Sequence, residues 1–348
     1  MVISRVSLAL YLPATLMFAA RIYLATATTT YKVTPSGKWT SSSGYSSKSK
    51  VYSLPDALAI AKAGDTIYLA DGTYTDRVDS FRDGKSGSPI KIKGGADAVI
   101  KADSPSGFTV DGKHGSANKK DSFVNKCVRV EGTGKGDHQP LDGFVMKRMT
   151  IKNCGTECVR LKNFVTNAQI MDNTIKYCGV YDFAFHHGGQ NGEGVYIGTS
   201  SSQWKHGEDR SNGNRVSGNT IATYGSECVD VKEGSSGTTI EENKCSDQLE
   251  TKTGCFSVRG DSNTVRYNIG KKCEGVGVRL GGAIVDKYQY GQDNDVYDNT
   301  ISDAQMGFMR VTAMPQGSIC DNNCKGGSCD ITADFAVGDI RETWNEYC

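Results

Sequence analysis

The chain carries almost no net charge, a formal +1 over 348 residues. That balance excludes a strongly basic nucleic-acid binder but leaves room for a local basic groove. Beyond the N-terminus no stretch is apolar enough to cross a bilayer. Helical periodicity is nearly absent, and the texture is uniform from Thr30 onward, with 41 glycines and many asparagines, so one elongated repeat domain fits better than two globules. Zinc spacings are missing too. Cys154/Cys158 and Cys320/Cys324 are C-x3-C pairs, but no His-x3-His partner follows either.

What is present begins with Arg5, an apolar stretch from Val6 to Ala20, and the small residues Ala25-Thr26-Ala27. This pattern predicts a signal peptide over 1–27 and a secreted mature chain, 28–348, with no membrane association after cleavage. Pro13 and Arg21 interrupt the apolar core, so a short membrane anchor is the alternative. In an exported chain the twelve cysteines read as disulfides. Cys127 with Cys158, Cys154 with Cys178, and Cys228 with Cys255 occupy equivalent places on adjacent repeats and are the expected pairs. Cys320, Cys324, Cys329 and Cys348 are expected to close a C-terminal cap over 320–348.

The one good helical pattern runs from Leu54 to Ala63 and is stopped by Gly64. Short alternating strands follow it, as at the capped start of a coil. From Cys127 the chain aligns in rungs: Cys127-Val-Arg-Val, Cys158-Val-Arg-Leu-Lys162, Gly194-Val-Tyr-Ile-Gly198, Cys228-Val-Asp-Val-Lys232, Cys255-Phe-Ser-Val-Arg259, Gly275-Val-Gly-Val-Arg279 and Met306-Gly-Phe-Met-Arg310. A second ladder, Asn173-Thr-Ile, Asn219-Thr-Ile, Asn268-Ile and Asn299-Thr-Ile, runs beside it. Coils of three short strands with variable loops predict an all-β chain wound as a single-stranded right-handed parallel β-helix, with 54–63 as its N-terminal capping helix.

Period-two alternation buries the valines of each rung and sends the residues between them to one outward face. Arg129, Arg160, Tyr196, Asp230 and Ser257 form one expected column. Lys162, Gly198, Lys232, Arg259, Arg279 and Arg310 form the next. Successive cations invite an anionic polymer along the axis, with Arg160, Tyr196, Arg279 and Arg310 as substrate contacts; a solvated basic face is the bland alternative. Glu193, Glu227 and Asp230 offer hard oxygens from adjacent rungs that suit Ca2+, or else serve only as salt-bridge partners. β-Elimination in a uronic polymer needs charge neutralisation, a base and a proton donor, which calcium, Lys232 and Arg259 would supply. Arg259, Arg279 and the ion would lower the Lys232 pKa, and the acids would oppose this. A β-helix glycoside hydrolase of the pectin type is the other enzyme reading, and a non-catalytic polysaccharide binder the third. His186-His187 and the Gln203–Arg210 loop with Trp204 are rim features or plain surface.

The opening Ala63-Gly-Asp-Thr-Ile-Tyr-Leu-Ala-Asp-Gly-Thr-Tyr74, the spacing of Glu227 to Lys232, and Gly254-Cys-Phe-Ser-Val-Arg-Gly260 one coil later resemble the alginate lyase and chondroitinase B family, polysaccharide lyase family six. The resemblance implies a pectin lyase-like fold, Lys232 as base, Arg259 as acid, and Glu227 with Glu193 as calcium ligands. The chain departs from the family at Gly225, where a second acid is usual, at Gly260, where a histidine is usual, and in the Glu-Gly-Ser after Lys232. A monomeric, secreted, calcium-assisted lyase acting on an anionic polysaccharide is the resulting expectation.

Overall fold

The computed structural model describes residues 28–333 apart from 42, 63, 75–90, 95–97, 102–107, 112, 114–122, 124, 133–139, 187–189 and 205–206. The expected signal peptide therefore lies outside the described residues. No helix among them is long and apolar enough to cross a membrane.

The chain is a right-handed parallel β-helix. Among the described residues its first face has nine strands, from Gly72–Tyr74 to Ile319–Cys320; the second has eight, from Phe108–Asp111 to Asn323–Gly327; the third has eight, from Val128–Glu131 to Ile331–Ala333. Each coil visits the three faces in turn, and a crossover between parallel strands of one sheet takes the right-handed sense. Val159, Leu161, Val195, Ile197, Val229, Val231, Phe256 and Val258 are fully buried in the bore, as their alternation requires. Of the expected C-terminal cap over 320–348, the part up to Ala333 adds one more strand to each of the three faces, and 334–348 with Cys348 lies outside the described residues.

At the other end, four strands (Thr30–Val33, Val51–Tyr52, Thr66–Leu69, Lys91–Gly94) form a small sheet, with the helix Leu54–Ile60 burying Leu54, Ala57 and Leu58. The Ser53 hydroxyl caps the helix by accepting from the Asp56 N–H at 3.2 Å. The helix stops at Ile60, before the expected Ala63. The Asp65 carboxylate accepts from the Lys62 N–H at 2.8 Å and the Thr29 N–H at 2.8 Å, so it competes with the helix for the donor that would have extended it.

The asparagine ladder is longer than its Thr-Ile signature suggested. Asn173, Asn219, Asn243, Asn268 and Asn299 each hand a side-chain N–H to the Oδ1 of the next ladder residue at 2.9–3.0 Å, the last of these acceptors being Asn322. Asn243 and Asn322 escaped the pattern because Lys-Cys and Asn-Cys follow them.

None of the three expected inter-coil pairs forms, whereas Cys324 and Cys329, both expected at the C-terminal end, bond each other. Cys127 bonds Cys154, Cys158 bonds Cys178, Cys228 bonds Cys245, Cys255 bonds Cys273, and Cys324 bonds Cys329. Cys127 and Cys158, Cys154 and Cys178, and Cys228 and Cys255 are indeed stacked equivalents, as the strand register shows. Stacked equivalents, however, project their side chains in parallel, and a disulfide needs Cβ atoms that face each other. Each of the first four bonds instead joins the start of a third-face strand to the second-face strand one coil later, at its end for Cys154, Cys178 and Cys273 and near its start for Cys245.

Candidate active site

The third face gathers the charged residues. In its first outward column, strand pairing stacks Arg129, Arg160, Tyr196, Asp230, Ser257, Arg279 and Arg310. Two positions on, Glu131 and Lys162 are followed by Gly198, Lys232 and Arg259. Arg279 and Arg310 thus leave the column in which the sequence alignment put them. Phe256 pairs with Val278, not Val276, a shift of two residues. A shift of one would have turned Val276, Val278 and Leu280 outward, but a shift of two keeps all three inward, so hydrophobic patterning cannot tell the registers apart. The cations therefore form two short pairs, Lys232 beside Arg259 and Arg279 beside Arg310.

At the centre, oxygens of Glu193, Glu227 and Asp230 lie within 4.8 Å of one another, and all three residues are buried. Glu193 accepts from the Gly192 N–H at 2.9 Å and Glu227 from the Ser226 hydroxyl. Neither oxygen of Asp230 has a hydrogen-bond partner, although the Lys232 ammonium sits against one of them in an ion pair. Burial, then the charge of Glu227, pushes the Glu193 carboxyl up to about 8. Burial and Asp230 likewise raise Glu227. Three buried acids gathered around one lysine, with both Asp230 oxygens lacking a donor, offer hard oxygens that suit a divalent cation.

Lys232 is fixed by what surrounds it. Its ammonium lies 4.4 Å from the centre of the Tyr196 ring, and the Arg160 guanidinium covers that ring at 3.5 Å. Burial works to lower the Lys232 pKa, but Asp230, Tyr196 and Glu227 outweigh it, with Arg259 opposing, and the net shift is upward. The downward shift expected from the arginines does not occur while Asp230 is free to pair with the lysine. Burial pushes the Tyr196 phenol up to about 12, against the pull of Lys232 and Arg160, so it holds its proton. Gly198, stacked on Lys232, has φ +84° and brings the Ser235 hydroxyl within 2.3 Å of where a Cβ would stand; only glycine fits this corner.

Arg160 was expected to touch substrate. It is 5 % exposed and committed to Glu157, so it orients Tyr196. Arg259 is half-buried, and Glu233, itself fully buried, accepts from it as well as from the N–H groups of Ser201 at 3.2 Å and Ala283 at 3.1 Å. Glu233 was not among the site residues read from the sequence, because the segments it ties together lie 26, 32 and 50 residues away. His186 is exposed, and His187 lies outside the described residues. Trp204 packs edge-on against Tyr290 at 5.5 Å and is more than a cover for the coil.

No family model matches the chain, and no curated protein matches it. Among solved structures it is similar to an alginate lyase from Paenibacillus sp. str. FPU-7, with 22 % identity, 88 % of this chain and 100 % of that one covered, and a TM-score of 0.42. It is also similar to DFA-IIIase from Arthrobacter chlorophenolicus A6, with 13 % identity, 81 % and 59 % covered, TM-score 0.43, and to pectate lyase Pel9A, with 14 % identity, 89 % and 79 % covered, TM-score 0.36. Likeness at this level assigns no activity.

Proposed function

We propose that the chain is a secreted, monomeric polysaccharide lyase that cleaves a uronic-acid polymer by β-elimination, with Ca2+ held by Glu193, Glu227 and Asp230. The observation that carries this reading is the convergence of three buried carboxylates on Lys232, with Tyr196 against the same ammonium. The spacing of Glu227, Lys232 and Arg259 supports distant kinship with polysaccharide lyase family six. The five disulfides among the described residues suit an oxidising compartment.

Glu193, Glu227 and Asp230 would hold the ion, which would supply positive charge to the acids and to the substrate carboxylate and would offset the Asp230 charge that keeps Lys232 protonated. Neutral Lys232 then takes the proton from the carbon beside the uronate carboxylate, the bond from the neighbouring carbon to the glycosidic oxygen breaks, and a carbon–carbon double bond forms. Tyr196 gives its phenolic proton to the departing oxygen. Return of the abstracted proton from Lys232 to the Tyr196 phenolate, directly or through water, balances the cycle. The proton donor implied by the family resemblance is Arg259, but its pKa is raised: burial alone would lower it, and Asp230 and Glu233 outweigh burial. A guanidinium so held serves better to neutralise carboxylate charge.

Incubation with a panel of uronans, with calcium and with chelator, tests the reading. A lyase leaves a product with a near-ultraviolet-absorbing double bond, a hydrolase leaves only a reducing end, and a binder leaves neither. Absence of unsaturated product from every uronan would overturn it.

A further inference from the structure

Beside the Lys232–Arg259 column stands a second cavity that the elimination chemistry does not use. It is a cleft of about 340 Å³ lined by Trp204, Gly207, Glu208, Val285, Asp286, Tyr288 and Tyr290. Two insertions build it. One follows the strand Val195–Ile197; the other is an antiparallel hairpin, Ile284–Val285 with Tyr288–Gln289. Asp286 and Lys287 at its tip have φ of 48° and 72°, the two-residue turn whose twist matches the strands and makes a hairpin rigid. The insertions are joined by the Trp204–Tyr290 edge contact and by the hydrogen bond from the Tyr290 hydroxyl to Glu208. Both are anchored to the groove through Glu233, which accepts from Ser201 of one, Ala283 of the other, and Arg259 of the coil.

Tyr288 is held at both ends yet open. Its hydroxyl donates to Asp261 at 2.9 Å, and its ring packs edge-on against Tyr290 at 4.8 Å, while the residue stays 48 % exposed. A ring fixed in this way presents apolar surface without losing side-chain entropy on binding. The cleft's ionised groups are carboxylates, Glu208 and Asp286, the reverse of the arginine pairs on the third face. Asp286 has no ion pair or hydrogen bond among the described residues.

We propose that this cleft is a subsite for an uncharged pyranose unit of the polysaccharide, stacked on Tyr288 and hydrogen-bonded through its hydroxyls to Asp286. A uronate would bring its carboxylate against Asp286 and Glu208 and is rejected by like charge. Resting on the lyase reading, this names the substrate class: a uronan that carries neutral sugars within the chain or as branches.

Calorimetric titration of the full chain with short neutral oligosaccharides (gluco-, galacto-, xylo- and manno-series) and with short uronate oligomers tests it. At least one neutral series is expected to bind saturably, and Tyr288→Ala is expected to weaken it at least about tenfold. Asp286→Asn, which tolerates the same backbone turn, is expected to keep neutral binding within about threefold while narrowing the preference over uronates. Lys232→Ala should bind the neutral series as the unaltered chain does, so the subsite stands or falls separately from the elimination chemistry. Absence of neutral binding, indifference to Tyr288→Ala, or uronate binding that disappears with Tyr288→Ala would overturn the proposal.

Discussion

Lys232 and Tyr196 belong to adjacent coils, and the lysine ammonium lies 4.4 Å from the centre of the tyrosine ring. Removing either should remove elimination. Lys232→Ala and Tyr196→Phe are each expected to lower kcat by roughly 10²–10⁴-fold, and the double variant should cost little more than the worse single one, because the two act as a unit. Rates of unsaturated-product formation check this, with circular dichroism to show that the fold persists. Strict additivity would separate the two residues mechanistically.

Asp230 connects the metal site to the base. Asp230→Asn should weaken calcium binding, read directly by titration with calcium, and lower activity, while chelation of the unaltered chain should abolish activity reversibly. Full activity in chelator would mean that the arginines neutralise the substrate alone.

The corrected register changes what the arginines should do. By coil spacing Arg279 stands about 10 Å, and Arg310 about 14 Å, along the axis from the Lys232 coil. Arg310→Ala should mainly raise KM and matter less for short oligomers. Arg279→Ala should raise KM for short and long substrates alike. Equal effects of chain length on both variants would remove the substrate from this column.

Glu233 touches no substrate in this arrangement, so its effect should pass through Arg259. Glu233→Gln is expected to lower kcat several-fold with KM nearly unchanged, and to loosen the cleft, seen as faster amide exchange at Ser201 and Ala283. A change in KM alone would give Glu233 a different part.

Glu157 sets an acid limit. Burial would raise its pKa, but Lys126 and Arg160 hold it down to about 2. A carboxyl depressed in the folded state contributes stability above its unfolded pKa and loses it as pH falls through the folded value. Thermal stability should therefore drop between about pH 4.5 and pH 2, and Glu157→Gln should flatten that slope. An unchanged slope would place the acid-sensitive group elsewhere.

Much of the fold was legible because a β-helix repeats its physics once per coil. Alternating valines, asparagine turns and the short N-terminal helix each follow from local chemistry, and they sufficed to place Glu193, Glu227, Asp230 and Lys232 on one face. The sequence by itself determined the architecture and which side chains point outward, since period-two burial is enforced at every rung. Only the tertiary structure decided the rest. Strand register modulo two is invisible to hydrophobicity, so the column of Arg279 and Arg310 waited on the backbone pairing. Cysteine partners depend on the direction of Cβ and not on stacking. The protonation of Lys232, the burial of Arg160 and the anchoring by Glu233 arise from groups dozens of residues apart, whose charges act through space along lines the chain order does not show.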